Sequence, residues 1–365
     1  MTRPTARSTT TAARSHLYSS RVAEAGVVVS SPDIDVPLTY FAQHGFRVER
    51  IFPADDPRSA TLVGHGTRIH LETSSVGSVS TGHVRIRVDG VDVARTDCLD
   101  DGTTVEWLPS HENLVVPPLV SSFVLTGPSD GWHTGRAGMQ YRDLVPDRQG
   151  NAVIASHIRI PTAGPVPDYV HFHDVVFQLI FCHRGWVKVV YEDQGEPFVL
   201  HAGDCVIQPP QIRHRVLESS DEMHVVEIGY PADHVTYSDP TTSLPTPSVR
   251  RDRVWSGQKF VHFESDAAEW RTMGSGWTKA DTGVRDATGG VAHVTVHRAS
   301  DAHVALDDVS DGEFRFFFVL RGHAAGTVED RSIDAPEATS AVIPPRSTAR
   351  LSGTFELLEV SIHTH

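Results

Sequence analysis

The stretch His171-Phe172-His173-Asp174-Val175-Val176-Phe177-Gln178, followed by Gly185 and then by Pro209-Pro210-Gln211-Ile212-Arg213-His214, decides the fold. It spaces three imidazoles and one amide so that a single small barrel can aim all four at one metal ion. Side chains two positions apart in a strand share a face, so His171 and His173 point inward together while Phe172 packs outside. Neutral imidazole is the commonest protein ligand for a divalent metal. The third imidazole arrives from a separate strand. Gly203-Asp204-Cys205-Val206-Ile207-Gln208 before it supplies the tight turn and short strand that bring the chain back alongside.

These residues resemble the two motifs of the cupin family. The first motif reads G, a spacer, H-x-H, a few residues, E, a further spacer, G; Gly164, His171, His173, Gln178 and Gly185 take those places. The second reads G, a spacer, P-x-G-x-x-H; Gly203, Pro209 and His214 match it. Gln178 stands where the family usually has glutamate, and Gln211 where it usually has glycine. The resemblance covers roughly residues 135–235. It implies a double-stranded β-helix (jelly-roll) barrel with His171, His173, Gln178 and His214 as metal ligands.

Working outward, the chain of 365 residues is too long for one such barrel and is expected to hold two or three domains. No apolar run is long enough for a membrane span. The 32 basic against 46 acidic residues, a formal charge of -14, argue against a nucleic-acid backbone as partner and for a small-molecule substrate. Cys98, Cys182 and Cys205 are odd in number and widely spaced, which argues against a disulfide framework and fits a reducing, cytoplasmic setting. Cys182 and Cys205 read as small buried apolar residues of barrel strands.

Residues 1–20, rich in Arg, Ser and Thr and without an acid, read as a disordered tail. Residues 21–112 form a separate α+β module. An amphipathic helix is expected over Asp35 to Phe46, with Asp35 as cap and Gly45 as stop. Strands follow at Arg47 to Phe52, at Ser59 to Leu71 around a Gly64-His65-Gly66 turn, at His83 to Val88 and at Thr103 to Trp107. This order resembles one module of the vicinal-oxygen-chelate (glyoxalase-like) fold. His65, His70, Glu72 and His83 read as surface or packing residues there, and the module as a scaffold or interface.

Linkers rich in Pro, Gly and Ser are expected at Leu114 to Gly135 and at Ser238 to Ser248. They divide a metal-binding barrel, 113–240, from a C-terminal region, 241–365, that repeats its layout. Setting Phe316 to Gly322 against Leu179 to Gly185 aligns Pro344-Pro345 with Pro209-Pro210. The same offsets place Asp308, Ser310, Arg315 and Ala349 at the positions of His171, His173, Gln178 and His214. The expected fold class is therefore mainly β: a bicupin with one metal-binding half and one degenerate half, preceded by the small α+β module.

Three imidazoles and one amide oxygen leave a divalent ion its full charge, and open coordination positions point to catalysis. Fe(II) is the expected metal, with Zn, Mn and Ni also compatible with these ligands. The resemblance implies a dioxygenase acting on an electron-rich enol, phenol or polyketide-like molecule. A redox-neutral isomerase, lyase or cyclase is the alternative, since an amide at 178 cannot serve as the base that the family's glutamate provides; a non-catalytic small-molecule sensor is the third. Candidate proton-transfer groups are Glu192, Glu227, His157, His183 and Tyr169, with Tyr169, Gln178 and Glu227 placed closest to the chemistry. Strand parity sends Gln178, Ile180 and Cys182 inward and His183 outward. Phe172, Phe177, Ile180, Trp186 and Ile212 read as barrel core and wall, making an apolar pocket. A sugar acid would suit that pocket only if Arg159 or Arg213 reached inside. Exposed strand edges leave room for a homodimer.

Overall fold

The computed structural model describes residues 24–74, 83–88, 94–98, 104–109, 114–129, 131–135, 138–306 and 313–363. The tail at 1–20 lies outside them. Strands dominate, and among the described residues no helix is long and apolar enough to cross a membrane.

Two β-barrels stand side by side. The first closes between two sheets. One contains Phe198–His201, Trp186–Tyr191, His214–Ser219, His171–Asp174 and Val235–Ser238. The other contains Cys205–Ile207, Phe177–Arg184, Met223–Tyr230, Ile154–Ile160 and Gln140–Asp143. Alternation along Phe177–Arg184 explains both the barrel lining and the barrel contact. Gln178, Ile180 and Cys182 face the interior, where Cys182 packs with Val189, Tyr191 and Val225. Phe177, Leu179 and Phe181 face out and meet Phe314, Phe316 and Phe318 of the second barrel in one buried core. Phe177 thus belongs to the contact between barrels rather than to the first barrel's lining.

The second barrel repeats the register of the first. Phe314 pairs with Ile362 and Arg315 with Ser361, as Phe177 pairs with Tyr230 and Gln178 with Gly229. Ala349 stands opposite Leu306, as His214 stands opposite His171. Leu306, not Asp308, therefore holds the place of His171. The sequence alignment is displaced because the connection to the next strand is longer in the second half. Asp308 and Ser310 lie outside the described residues. The buried Arg315 fills the interior, donating to the Ser347 carbonyl at 2.7 Å and the Leu306 carbonyl at 2.8 Å, and facing Glu359 at 3.6 Å.

The segment read as the first linker is partly strand, and short strands cross between the barrels in both directions. Val124–Thr126 adds to Ser340–Val342 of the second barrel. Val261–Phe263 adds to Cys205–Ile207 of the first. Each barrel is completed by a strand from the other half of the chain.

In the N-terminal module, Glu24–Ser31 pairs in parallel with Thr67–Thr73, and Arg47–Phe52 continues into the barrel sheet through Arg50 with Tyr237 and Ile51 with Thr236. The helix spans Asp35–Gln43. Asp35 is its first residue and not its cap; Asp33 instead accepts from the Asp35 amide at 2.9 Å. Gly45, at φ 83°, ends it as expected, with the Phe46 amide returning to the Phe41 carbonyl at 3.0 Å. His65 and Gly66, both left-handed, make the hairpin turn. The four candidate ligands are dispersed into local roles. His65 bonds the His44 carbonyl, His70 is buried against Thr61, Glu72 pairs with Arg85 and His83 with Glu106.

Candidate metal centre

Three short ladders bring the imidazoles together. His171 stands directly across from His214. His173 stands across from Thr236, and His214 across from Tyr191. All three are buried, and the His171 and His214 rings lie 4.3 Å apart between centroids. The hairpin that delivers His214 turns at Gln211, whose backbone is left-handed at φ 66° and whose amide bonds the His173 carbonyl at 3.0 Å.

Each ring is oriented by a bond on its Nδ1. In His171 it reaches the Tyr169 carbonyl at 2.7 Å, and in His214 the Ile212 carbonyl at 3.0 Å. A carbonyl can only accept, so Nδ1 carries the proton and Nε2 keeps its lone pair. In His173, Nδ1 meets Thr236 Oγ1 at 2.8 Å. Such outer partners fix both tautomer and orientation of metal-ligating histidines. One ligand nitrogen from each ring lies within 4.8 Å of the others. One ion at about 2.0–2.1 Å from each nitrogen fits them after small side-chain adjustments.

Gln178 enters from the opposite sheet. Its Nε2 donates to Glu227 Oε1 at 2.6 Å, which sets the amide's orientation and leaves its Oε1 buried with no hydrogen-bond partner among the described residues. An orphaned buried carbonyl is costly. Its position in the cavity lined by His171, His173 and His214 is the place where a cation would satisfy it. The donor set of three neutral imidazoles and one amide oxygen fits a divalent metal.

The cavity above has a volume of about 120 Å³. At roughly 10–15 Å³ per water-sized group, it has room for about ten heavy atoms. Its walls are apolar, including Ile154, Ile158, Ile180, Val216 and Val225. Polar groups gather around the imidazoles: Gln178, Glu227, His234, and Tyr191, whose hydroxyl accepts from Gln208 at 2.8 Å. Burial pushes the Tyr191 phenol well above its ordinary range.

The expected proton-transfer groups separate. Glu227 lies in the cavity. Tyr169 does not line it: its carbonyl orients His171, while its ring packs edge-on to His171 and faces a crevice beside Leu38 and Phe46 of the module. Glu192 points away from the cavity, bonded to Arg253 at 2.6 Å. His183 faces outward, as parity requires, and His157 with it. His183 Nδ1 and His224 Nδ1 both lie near His157 Nε2, at 3.1 and 3.0 Å, in a buried cluster beside the second barrel. Arg142 donates to His157 Nδ1 at 3.0 Å, and His183 Nε2 donates to the Leu320 carbonyl at 2.9 Å. The cluster is a hydrogen-bond hub, since the Arg142 donor leaves the only proton of neutral His157 on Nε2.

Cavity residues missed from sequence include His234, Asp55 and Tyr191. His234 has no motif around it. Asp55 comes from the N-terminal module, whose Ala54-Asp55 segment forms part of the cavity wall. Asp55 is anchored there by Arg148 at 2.7 Å.

No protein-family model matches the sequence, and no curated protein matches it. Among solved structures, the chain is similar to the salicylate 1,2-dioxygenase of Pseudaminobacter salicylatoxidans, with TM-score 0.50 and 15% identity over 68% of this chain and 86% of that one. It also matches a point mutant of the Bacillus subtilis oxalate decarboxylase OxdC (TM-score 0.49, 10% identity, 70% and 81% covered). The protein Ylba from E. coli matches with TM-score 0.47 and 10% identity, covering 69% and 94%. At these identities the likeness is one of fold, and it does not confirm the glyoxalase-like resemblance of the N-terminal module. With its two barrels in matching register and its likeness to the salicylate dioxygenase structure, the chain has a bicupin fold.

Proposed function

We propose that this chain is a metal-dependent cupin enzyme, a non-haem Fe(II) dioxygenase acting on a small enolic, phenolic or polyketide-like molecule. The observation that carries the reading is the set of three buried imidazoles oriented through Nδ1, joined by the unpartnered Gln178 carbonyl at one end of an apolar cavity. All four donors are neutral. A divalent metal held by them would keep its full charge, supplying strong Lewis acidity and, as iron, redox chemistry with dioxygen. Thiolates take no part: burial pushes the Cys182 thiol up to about 12, and neither buried cysteine joins the imidazole group.

The chain's own groups divide the remaining work. The apolar walls exclude water and hold a ring-sized molecule against the polar end. Gln178, which cannot act as a base, holds Glu227 by a 2.6 Å bond at the cavity edge, where the carboxylate can take a hydroxyl or C–H proton from a bound substrate.

The same carboxylate supports the redox-neutral alternative, in which an isomerase, lyase or cyclase moves a proton without consuming oxygen. Elemental analysis of the purified protein, together with oxygen-electrode traces on enols and catechols, separates the two. Iron with stoichiometric oxygen uptake is expected. Turnover without oxygen uptake would establish the redox-neutral reaction, and ligand binding without turnover would establish a sensor.

A further inference from the structure

The cavity contains a second buried atom in search of a partner. The His234 side chain is buried and lines the cavity beside His173, with ring centroids 5.4 Å apart. Its Nδ1 donates to the Pro231 carbonyl at 3.1 Å, so the proton is on Nδ1 and Nε2 presents a lone pair. That Nε2 is buried and has no partner among the described residues. It falls outside the group of His171, His173 and His214 nitrogens that share one ion. It is therefore a buried hydrogen-bond acceptor on a ring of the cavity wall, outside the ligand group. The backbone makes room for it: the ring packs over Gly229, where an added Cβ would touch its Cε1 at 3.4 Å and Ile154 at 3.0 Å.

Charge in the same cavity is one-sided. Two carboxylates, Asp55 and Glu227, line it, and among the described residues no lysine or arginine does. The two arginines that the sequence offered as able to reach inside are committed elsewhere. Arg159 pairs with Glu222 at 2.6 Å, and Arg213 pairs with Asp239 at 3.1 Å and lies over the Phe172 ring. A carboxylate ligand would bring a negative charge into an apolar cavity that offers two more of the same sign, one of them paired with Arg148, and no guanidinium or ammonium lining it, so that only the metal could meet that charge. A hydroxyl donor instead meets acceptors.

We propose that His234 is a substrate-recognition residue whose Nε2 accepts a hydrogen bond from a ring or enol hydroxyl, and that the cavity selects neutral, donor-bearing rings over aromatic carboxylates. The proposal rests on the metal-centre reading above. It also separates this chain from the solved neighbours whose names specify salicylate and oxalate.

The test is calorimetric titration of the full-length, metal-loaded protein with catechol and with benzoate, two single rings that differ in offering donors or a carboxylate. The wild type is expected to bind catechol at least about tenfold more tightly than benzoate. His234→Phe, which keeps a ring but removes the acceptor, should weaken catechol about tenfold and leave benzoate unmoved. His234→Gln, which restores an acceptor oxygen, should recover part of the loss. Circular dichroism and metal content are read on the same samples, so a variant that fails to fold or load is recognised and the glutamine variant decides. Benzoate binding as tightly as catechol, catechol binding unchanged in folded His234→Phe, or no probe binding to metal-loaded wild type would each overturn the proposal. A wild type that takes up no metal would sink the metal-centre reading, and this proposal with it.

Discussion

Gln178 and Glu227 carry the main departure of this site from the cupin motif it resembles. A glutamate at 178 would be both ligand and base; in the proposed site the two tasks are split between an amide oxygen and a carboxylate 2.6 Å from the amide nitrogen. Glu227→Gln should therefore retain the metal while kcat falls at least about 100-fold. Metal analysis beside steady-state kinetics checks it, and undiminished turnover would remove Glu227 from the chemistry. The other departure has a local cost. Gln211 holds the left-handed backbone that glycine adopts without penalty, and its amide bond to the His173 carbonyl helps to keep the turn in place. The four candidate ligands were legible because strand parity and motif spacing are local properties. His234 and Asp55 were not, because their place in the cavity comes from the pairing of Val235–Ser238 with strands distant in sequence.

Among elements, the strands Phe177–Arg184 and Phe314–Val328 are two-sided, each lining its own barrel and pressing phenylalanines into the common core. Phe316 is fully buried there. Phe316→Ala should cost about 3–5 kcal/mol, read as a lower denaturant midpoint; a loss below about 1 kcal/mol would mean that the barrels do not depend on this contact. The same face carries the His157 hub. Burial penalises the charged rings and holds His183 and His224 near 4, with His157 lower still. The positive charge of Arg184 acts in the same direction at His183 and His224, while Glu337 opposes at His183 and Glu222 at His224. Unfolded, the rings titrate near 6.5. As pH falls the unfolded chain takes up protons first, so stability present above pH 6.5 declines from there, the share of His183 and His224 being lost by about pH 4 and that of His157 at lower pH. Melting temperature followed from pH 7 to 4.5 should fall, and His183→Gln should blunt the fall; parallel curves for the two proteins would contradict this. Parity alone showed that His183 faces outward. What it meets there, including the Leu320 carbonyl, depends on how the barrels dock.

For the molecule as a whole, the bicupin plan was legible from the repeat of strands and turns, whereas the exchange of Val124–Thr126 and Val261–Phe263 was not. Both are three-residue strands; the first lies in a segment whose proline and glycine content reads as linker, and the second in the C-terminal region assigned to the other barrel. The N-terminal module is likewise more than an appendage, because its strand Arg47–Phe52 supports the strand bearing Thr236, the partner of His173. Arg148 ties this arrangement together, with Asp55 of the module at 2.7 Å and Asp233 of the barrel at 3.2 Å. Arg148→Ala leaves these carboxylates without that cation and should destabilise the protein by about 3 kcal/mol, with KM raised because the Asp55 wall loosens; an unchanged KM would free the module from the site. The central claim, that His171, His173, His214 and Gln178 hold one catalytic metal, is tested most directly by metal stoichiometry. Elemental analysis of wild type, His171→Ala and His214→Ala should find one divalent ion per wild-type chain and essentially none in either folded variant. Equal metal content in all three would contradict the assignment.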